Sequence, residues 1–244
     1  IVRMKLGDVI PDFHCDTDRG RIDSFHDWIG EGKWAILFSH PADFTPVCTT
    51  ELARAAQLAP EFDKRGVKLI ALSIDSAVSH RAWIADIAGY CAYGEVDKDN
   101  FPFPIIADES RYLSEALGMI DPDEINASGV PLSARAVLVI GPDKKLKLQI
   151  LYPATTGRNF DEILRVVDSL LLTAKHKVAT PADWKVGNVV MIQPSLPQDE
   201  ALLLFPRMAI MDMPSGIEYL RLTPIPDDFS FVSSSDSSSH PPPP

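Results

Sequence analysis

Lys33-Trp34-Ala35-Ile36-Leu37-Phe38-Ser39-His40-Pro41-Ala42-Asp43-Phe44-Thr45-Pro46-Val47-Cys48-Thr49-Thr50-Glu51-Leu52 reads as a buried strand, a short polar loop and the start of a helix. The run Lys33 to Ser39 is apolar and rich in strand formers. Thr45 fits a helix N-cap and Pro46 the first helical position, where a missing N–H costs nothing. Cys48 then falls in the first turn. There, free backbone amides and the positive end of the helix dipole favour thiolate over thiol. Polar His40 and Thr45 surround the position, and the sulfur is expected to be open to the loop. That makes a reactive thiol the better reading than an inert core cysteine.

Working outward, Val67 to Ile74, Ala134 to Ile140 and Leu146 to Leu151 are further strand runs, and Pro104 to Ala107 is a short one. The turn Gly141-Pro142-Asp143-Lys144-Lys145 joins the third and fourth long runs into a hairpin. Helical stripes lie between: Leu52, Ala55, Ala59 and Phe62 in 49–64, Trp83, Ile84 and Ile87 in 80–88, and Ile163, Val166, Val167 and Leu170 in 160–172. A short helix is expected over Ser24 to Ile29. Strand–helix alternation closed by a hairpin and a helix predicts an α/β sheet that is not wholly parallel. Thr180-Pro181 breaks the last long helix. The Pro-punctuated stretch after it, with strand candidates Val189 to Ile192 and Tyr219 to Leu222, predicts a small appended domain. The expected division is 5–176, 177–228 and a Ser- and Pro-rich low-complexity tail at 229–244.

The chain has 244 residues, with 23 Lys and Arg against 34 Asp and Glu, a net charge of −11. That balance argues against nucleic-acid binding, because phosphate contacts need a basic surface. No apolar run approaches the roughly 20 residues of a membrane span, and no signal-peptide core opens the chain. Met4 fits a natural start. Three cysteines, Cys15, Cys48 and Cys91, are too few for a disulfide scaffold and suit a reducing compartment, so a cytoplasmic location is expected. No C-x-x-C is present, which leaves a thioredoxin-type dithiol exchange without support. Cys15 and Cys91 each offer a thiol that could resolve an oxidised cysteine, but core filling is the better reading for both. His14, His26, His80 and His176 lack metal-ligand spacing, so solvated or capping roles are expected for them and no metal site.

Pro41-x-x-x-Thr45-x-x-Cys48 resembles the peroxiredoxin signature P-x-x-x-T-x-x-C, and SHPADFTPVCTTEL resembles the 1-Cys, peroxiredoxin-6-type branch of that family. The similarity runs on through Lys68 to Ser76, Pro102 to Ile106, Gly141 to Leu148 and Leu151 to Arg165, covering about residues 5 to 226. It implies a thioredoxin-like mixed sheet flanked by helices, with a small C-terminal domain, and a thiol-dependent peroxidase of hydrogen peroxide and organic hydroperoxides. By the resemblance, Cys48 is the peroxidatic nucleophile that becomes a sulfenic acid. Pro41 shields the pocket, Thr45 offers its hydroxyl to sulfur and peroxide, and Arg135 is the active-site arginine. Glu51 orients an arginine, Arg158 is the second one, and His40 is an active-site neighbour. Full ionisation of a cysteine gains roughly 30-fold, only about 2 kcal/mol of barrier, so Thr45 and Arg135 are also needed to bind charge on the two oxygens.

The expected C-terminal domain contains no cysteine, which excludes the typical 2-Cys arrangement. The resemblance therefore implies recycling by an external thiol, glutathione, with no cofactor, and a homodimer in which the C-terminal domain reaches its partner. A redox-gated chaperone or peroxide sensor using the same cysteine is the alternative. Some members of the branch carry a phospholipase A2 activity attributed to a serine with a His and an Asp. His26 and Asp143 match the latter two, but the serine segment reads Gly30-Glu31-Gly32-Lys33-Trp34-Ala35, without a hydroxyl. Gly and Lys cannot replace a hydroxyl nucleophile in ester chemistry, so lipase activity is not expected.

Overall fold

A computed structural model of the chain describes residues 4–91 and 96–229. The expected tail from Ser230 lies outside these residues. Chain packing divides between Val167 and Asp168, nine residues before the boundary expected at 177, so the long helix Phe160–Lys175 contributes to both units.

The first unit is built on strands β1 (Cys15–Thr17), β2 (Gly20–Ile22), β3 (Trp34–Ser39), β4 (Val67–Ser73), β5 (Ile105–Ala107), β8 (Arg135–Ile140) and β9 (Leu146–Tyr152). They form one sheet in the order β2-β1-β5-β4-β3-β8-β9. β3 runs parallel to β4 and antiparallel to β8, and β8 pairs with β9 as the expected hairpin. The sheet is mixed, as the strand–helix order predicts. β3 and β8 are buried along their whole length, because they sit inside the sheet with both faces covered. A core of Phe25, Ile29, Leu37, Ile70, Leu72, Ala136 and Leu138 among others holds one side together.

The helices of this unit are α1 (Phe25–Ile29), α2 (Pro46–Lys64), α3 (Ala77–Tyr90) and α4 (Tyr112–Ala116), and it also contributes the first half of α5 (Phe160–Lys175). Ser24 caps α1 through Asp27 N and Ser76 caps α3 through Ser79 N. A further hairpin, β6 (Ile120–Ile125) with β7 (Pro131–Ser133), carries a register shift. Its sequence, Ile120-Asp121-Pro122-Asp123-Glu124-Ile125, lacks the alternation that would announce a strand.

The second unit has its own four-stranded antiparallel sheet, β10 (Val178–Ala179), β11 (Val190–Ile192), β13 (Arg221–Thr223) and β12 (Ala209–Ile210), plus α6 (Gln198–Leu204). The strand expected at 219–222 begins two residues later. Trp184, Val190, Ile192, Leu196 and Phe205 form its core. Phe229, assigned to the tail from sequence, also packs there and is 8% exposed. Among the described residues no helix is long and apolar enough to cross a membrane.

Candidate active site

β3 delivers the chain into the loop 40–45, and α2 starts at its end. Thr45 has the extended backbone of an N-cap (φ −113°, ψ 148°), with Pro46 in the first helical turn as expected. Its side chain does not cap the helix. The Thr45 hydroxyl instead donates to the Ala42 carbonyl at 2.9 Å, which folds the loop on itself and leaves only oxygen lone pairs to face a ligand. Phe44, just before it, holds the left-handed region at φ 52°, a conformation uncommon for a bulky side chain. Pro41 is buried in the same loop. Beside the start of α2 lies a groove of about 370 Å³, lined by Phe44, Thr45, Thr49, Trp83 and Tyr90 among others.

Cys48 is fully buried, contrary to the expected sulfur open to the loop. The reason is helix geometry: Cys48, Glu51, Leu52 and Ala55 share the face of α2 turned inward, and all are buried. Arg135 meets the sulfur there. The Ser39 hydroxyl donates to Ala134 O (2.6 Å) and accepts from Ala136 N (3.1 Å), locking β3 to β8 on either side of Arg135. Arg135 Nη1 donates to Cys48 Sγ at 3.3 Å and to Glu51 Oε2 at 2.7 Å. Its Nε and Nη2 both donate to Ala154 O, at 2.8 and 2.6 Å, so the fork has little freedom to turn.

Glu51 binds both arginines. It accepts from Arg158 N (2.7 Å), Nε (2.9 Å) and Nη2 (2.7 Å), while Arg158 Nη1 donates to Ala136 O (2.6 Å). The Arg158 guanidinium also lies 5.7 Å from the rings of Phe38 and of Phe160. Burial pushes the Glu51 carboxyl up, but the hydrogen bonds and charge of Arg158, with Arg135 behind them, outweigh it and hold it below its ordinary value. Two permanently charged guanidinium groups and one carboxylate leave one positive charge in a buried cluster. A thiolate at Cys48 brings the total to zero.

His40, fully buried, sits on the other side of the loop. Its Nε2 contacts Asp43 Oδ1 at 3.0 Å and its ring lies 5.1 Å from that of Trp83. Asp43 Oδ2 receives His80 Nδ1 at 2.7 Å and the Ser79 hydroxyl at 2.7 Å. His80, expected to be solvated or a cap, is instead wholly buried, because it opens the stripe His80, Trp83, Ile84, Ile87 of α3. Sequence reasoning thus missed Asp43 and His80, although the i, i+3, i+4, i+7 spacing contained the signal for the latter. His40, Asp43 and Asp75 bring one ligand atom each to within 4.8 Å of one another. Both Asp43 oxygens accept from protein donors, and Asp75 Oδ2 accepts from Asp43 N and Ser73 Oγ.

The other cysteines are free and buried in separate surroundings. Burial, with the charges of Asp16 and Asp108, pushes the Cys15 thiol up to about 12, so it is a poor nucleophile. The Cys91 thiol donates to Ala53 O at 3.5 Å. His26 Nε2 contacts Ile10 O at 2.8 Å and Asp143 binds Lys147 at 2.7 Å, so each of these two has a structural partner.

A thioredoxin-like mixed sheet that places a helix-start cysteine against an arginine defines the class. The model of the AhpC/TSA family matches residues 6–149, and that of the C-terminal domain of 1-Cys peroxiredoxin matches residues 169–204. Peroxiredoxin-6 of Gallus gallus is 62% identical over 223 residues, 91% of this chain and 98% of the relative. The 1-Cys peroxiredoxin of Dirofilaria immitis is 59% identical over 228 residues, 91% and 97% of the two chains. The crystal structure of a cysteine-to-serine mutant of Arenicola marina peroxiredoxin 6 superposes with a TM-score of 0.86 at 55% identity, covering 92% of this chain and 99% of that one. A yeast mitochondrial 1-Cys peroxiredoxin, whose thiol resolving mechanism works via glutathione/thioredoxin systems, superposes with a TM-score of 0.78 at 42% identity, covering 91% and 99%. The chain belongs to the peroxiredoxin family, in its 1-Cys, peroxiredoxin-6-type branch. It is a thiol peroxidase.

Proposed function

We propose that Cys48 is the peroxidatic cysteine and that an external thiol recycles it. The observation that supports this most is the contact of Cys48 Sγ with Arg135 inside a cluster one negative charge short of neutral. The thiolate attacks one peroxide oxygen, the S–O bond forms and the O–O bond breaks. Cys48 is oxidised to sulfenic acid, and the leaving alkoxide or hydroxide takes up a proton to become alcohol or water. Arg135 is placed to hold the charge that develops on the oxygens. Thr45, with its own proton engaged by Ala42, offers lone pairs to the peroxide O–H, and Pro41 closes the loop over the site. Glu51 and Arg158 fix Arg135.

Two external thiols then complete the cycle. The first displaces water from the sulfenic acid to give a mixed disulfide, and the second releases Cys48 and leaves as the oxidised disulfide. Glutathione is the proposed reductant, by likeness to the yeast relative, with no cofactor or metal, a homodimer as the working unit and the cytoplasm as its place. Steady-state consumption of hydrogen peroxide and an organic hydroperoxide, with glutathione, dithiothreitol and thioredoxin as donors, tests this on wild type and Cys48→Ser. Rapid turnover with a monothiol, lost in Cys48→Ser, is expected. A single oxidation without turnover in any donor would favour the sensor or chaperone reading instead.

A further inference from the structure

The Asp43–His80 contact does more than fill space between the loop and α3. Asp43 accepts three donors, from His40, His80 and Ser79, and its own N–H donates to Asp75 Oδ2 at 2.9 Å. Through this one residue the loop carrying Pro41 and Thr45 is tied to the end of β4 and the first turn of α3.

The protons of the two histidines follow from their partners. His80 Nε2 faces the Ile106 carbonyl at 3.2 Å, and a carbonyl only accepts, so Nε2 carries a proton. His80 Nδ1 faces a carboxylate, which also only accepts, so Nδ1 carries one too. His80 is therefore an imidazolium whose charge Asp43 balances. Burial pushes the Asp43 carboxyl up, but hydrogen bonds from His40 and His80 and the charge of His80 hold it below the usual carboxylate range. His40 is the opposite case. Burial lowers it from its ordinary value, Asp43 and Asp75 raise it only in part, and the charge of His80 lowers it further. His40 is then neutral, with its single proton on Nε2 toward Asp43. Its Nδ1 has no hydrogen-bond partner and is fully buried. A buried orphan acceptor is tolerated more readily than a buried orphan N–H, which agrees with that tautomer.

We propose that Asp43 and His80 are positioning residues of the peroxidase: their buried contact sets the loop 40–45 and fixes His40 as a neutral ring with an unprotonated Nδ1. This rests on reading Cys48, three residues beyond that loop, as the reacting thiol. Asn at position 43 tests the geometry cleanly. Its carbonyl accepts from His40 Nε2–H, and its amide donates to Ser79 and to the bare Nδ1 of a now neutral His80. All the side-chain contacts survive without either charge. Alanine at the same position removes them all.

The experiment joins ¹⁵N-histidine spectra with the second-order rate constant of Cys48 oxidation by hydrogen peroxide in wild type, Asp43→Asn and Asp43→Ala. In wild type the expected result is two protonated nitrogens on His80 and a proton on Nε2 alone of His40. In Asp43→Asn, His80 becomes neutral, His40 keeps its tautomer and the rate constant stays within about fivefold of wild type. Asp43→Ala loses about tenfold or more, because an ångström of misplacement costs on the order of a hundredfold. A His40 proton on Nδ1 in wild type, Asp43→Asn as slow as Asp43→Ala, or Asp43→Ala at the wild-type rate would each overturn the proposal. If wild-type Cys48 were inert to peroxide while the histidine assignments held, the Cys48 reading would fall and not the assignment of the pair.

Discussion

Replacing Arg135 by methionine removes the guanidinium that donates to the Cys48 sulfur at 3.3 Å. At that separation and an effective dielectric constant of about 20, two unit charges interact by about 5 kcal/mol, which is a ceiling. Glu51, 2.7 Å from the same Nη1, cancels part of it. A hydrogen bond to a charged group is worth about 1.5–3 kcal/mol net, and that range is the better guide. It corresponds to about 10- to 100-fold in the rate constant for peroxide reduction. Stopped-flow oxidation at pH 7 measures it directly, and the rate of Cys48 alkylation by iodoacetamide should fall in parallel. Arg135→Lys should lie between, since it keeps the charge but loses the fork that also grips Ala154 O. Thermal unfolding shows whether the variants are folded, as the Ala154 carbonyl loses both its donors from Arg135. A folded Arg135→Met within twofold of wild type in both assays would refute the argument.

Cys48→Ser should abolish peroxide turnover, whereas Cys15→Ser and Cys91→Ser retain most of it. Comparable loss in Cys91→Ser would reveal a resolving disulfide and end the single-cysteine mechanism. Excess peroxide without thiol should add two oxygens to Cys48 by intact mass and peptide mapping, and prior glutathione should suppress the gain. A stable disulfide to Cys15 or Cys91 in place of those oxygens would contradict it. Glu51 and Asp43 titrate below their ordinary values in the folded chain, so the stability they contribute is present above about pH 4 and is lost as pH falls through the folded values. The urea midpoint should therefore drop steeply below about pH 4, and less steeply in Glu51→Gln. Equal acid slopes for the two proteins would count against the Glu51 contribution.

Much of this molecule could be read from local pattern. The runs 33–39, 67–74, 134–140 and 146–151 each became a strand because they are long, apolar and bounded by turn residues. β6 and α4 were illegible because an acidic, Pro-containing run and a five-residue helix carry too few apolar positions to show a period. Cys48 illustrates a signal present but unread. The stripe Leu52, Ala55, Ala59, Phe62 extends back four residues to Cys48, which places the sulfur on the buried face. Arg135 was legible as an inward-pointing charge between apolar neighbours, and the structure gives it Glu51 and Ala154 as partners. The contacts of Asp43 with Ser79 and His80 were not legible, because they join residues 36 and 37 positions apart and depend on how α3 packs beside the loop.

The charge count at Cys48 bears equally on its oxidised forms. The reduced thiolate closes the sum of Arg135, Arg158 and Glu51 to zero. A protonated sulfenic acid is neutral, so the intermediate state leaves one buried positive charge uncompensated, a condition that costs stability. A sulfinate restores the missing negative charge. On charge alone, then, the sulfenic acid is the least stable of the three oxidation states, and the irreversible sulfinate fits the buried cluster as well as the starting thiolate. With Cys48 as the proposed reacting thiol, the cluster that favours its first oxygen puts no charge penalty on the second, and protection against that step falls to how quickly the proposed external thiol arrives.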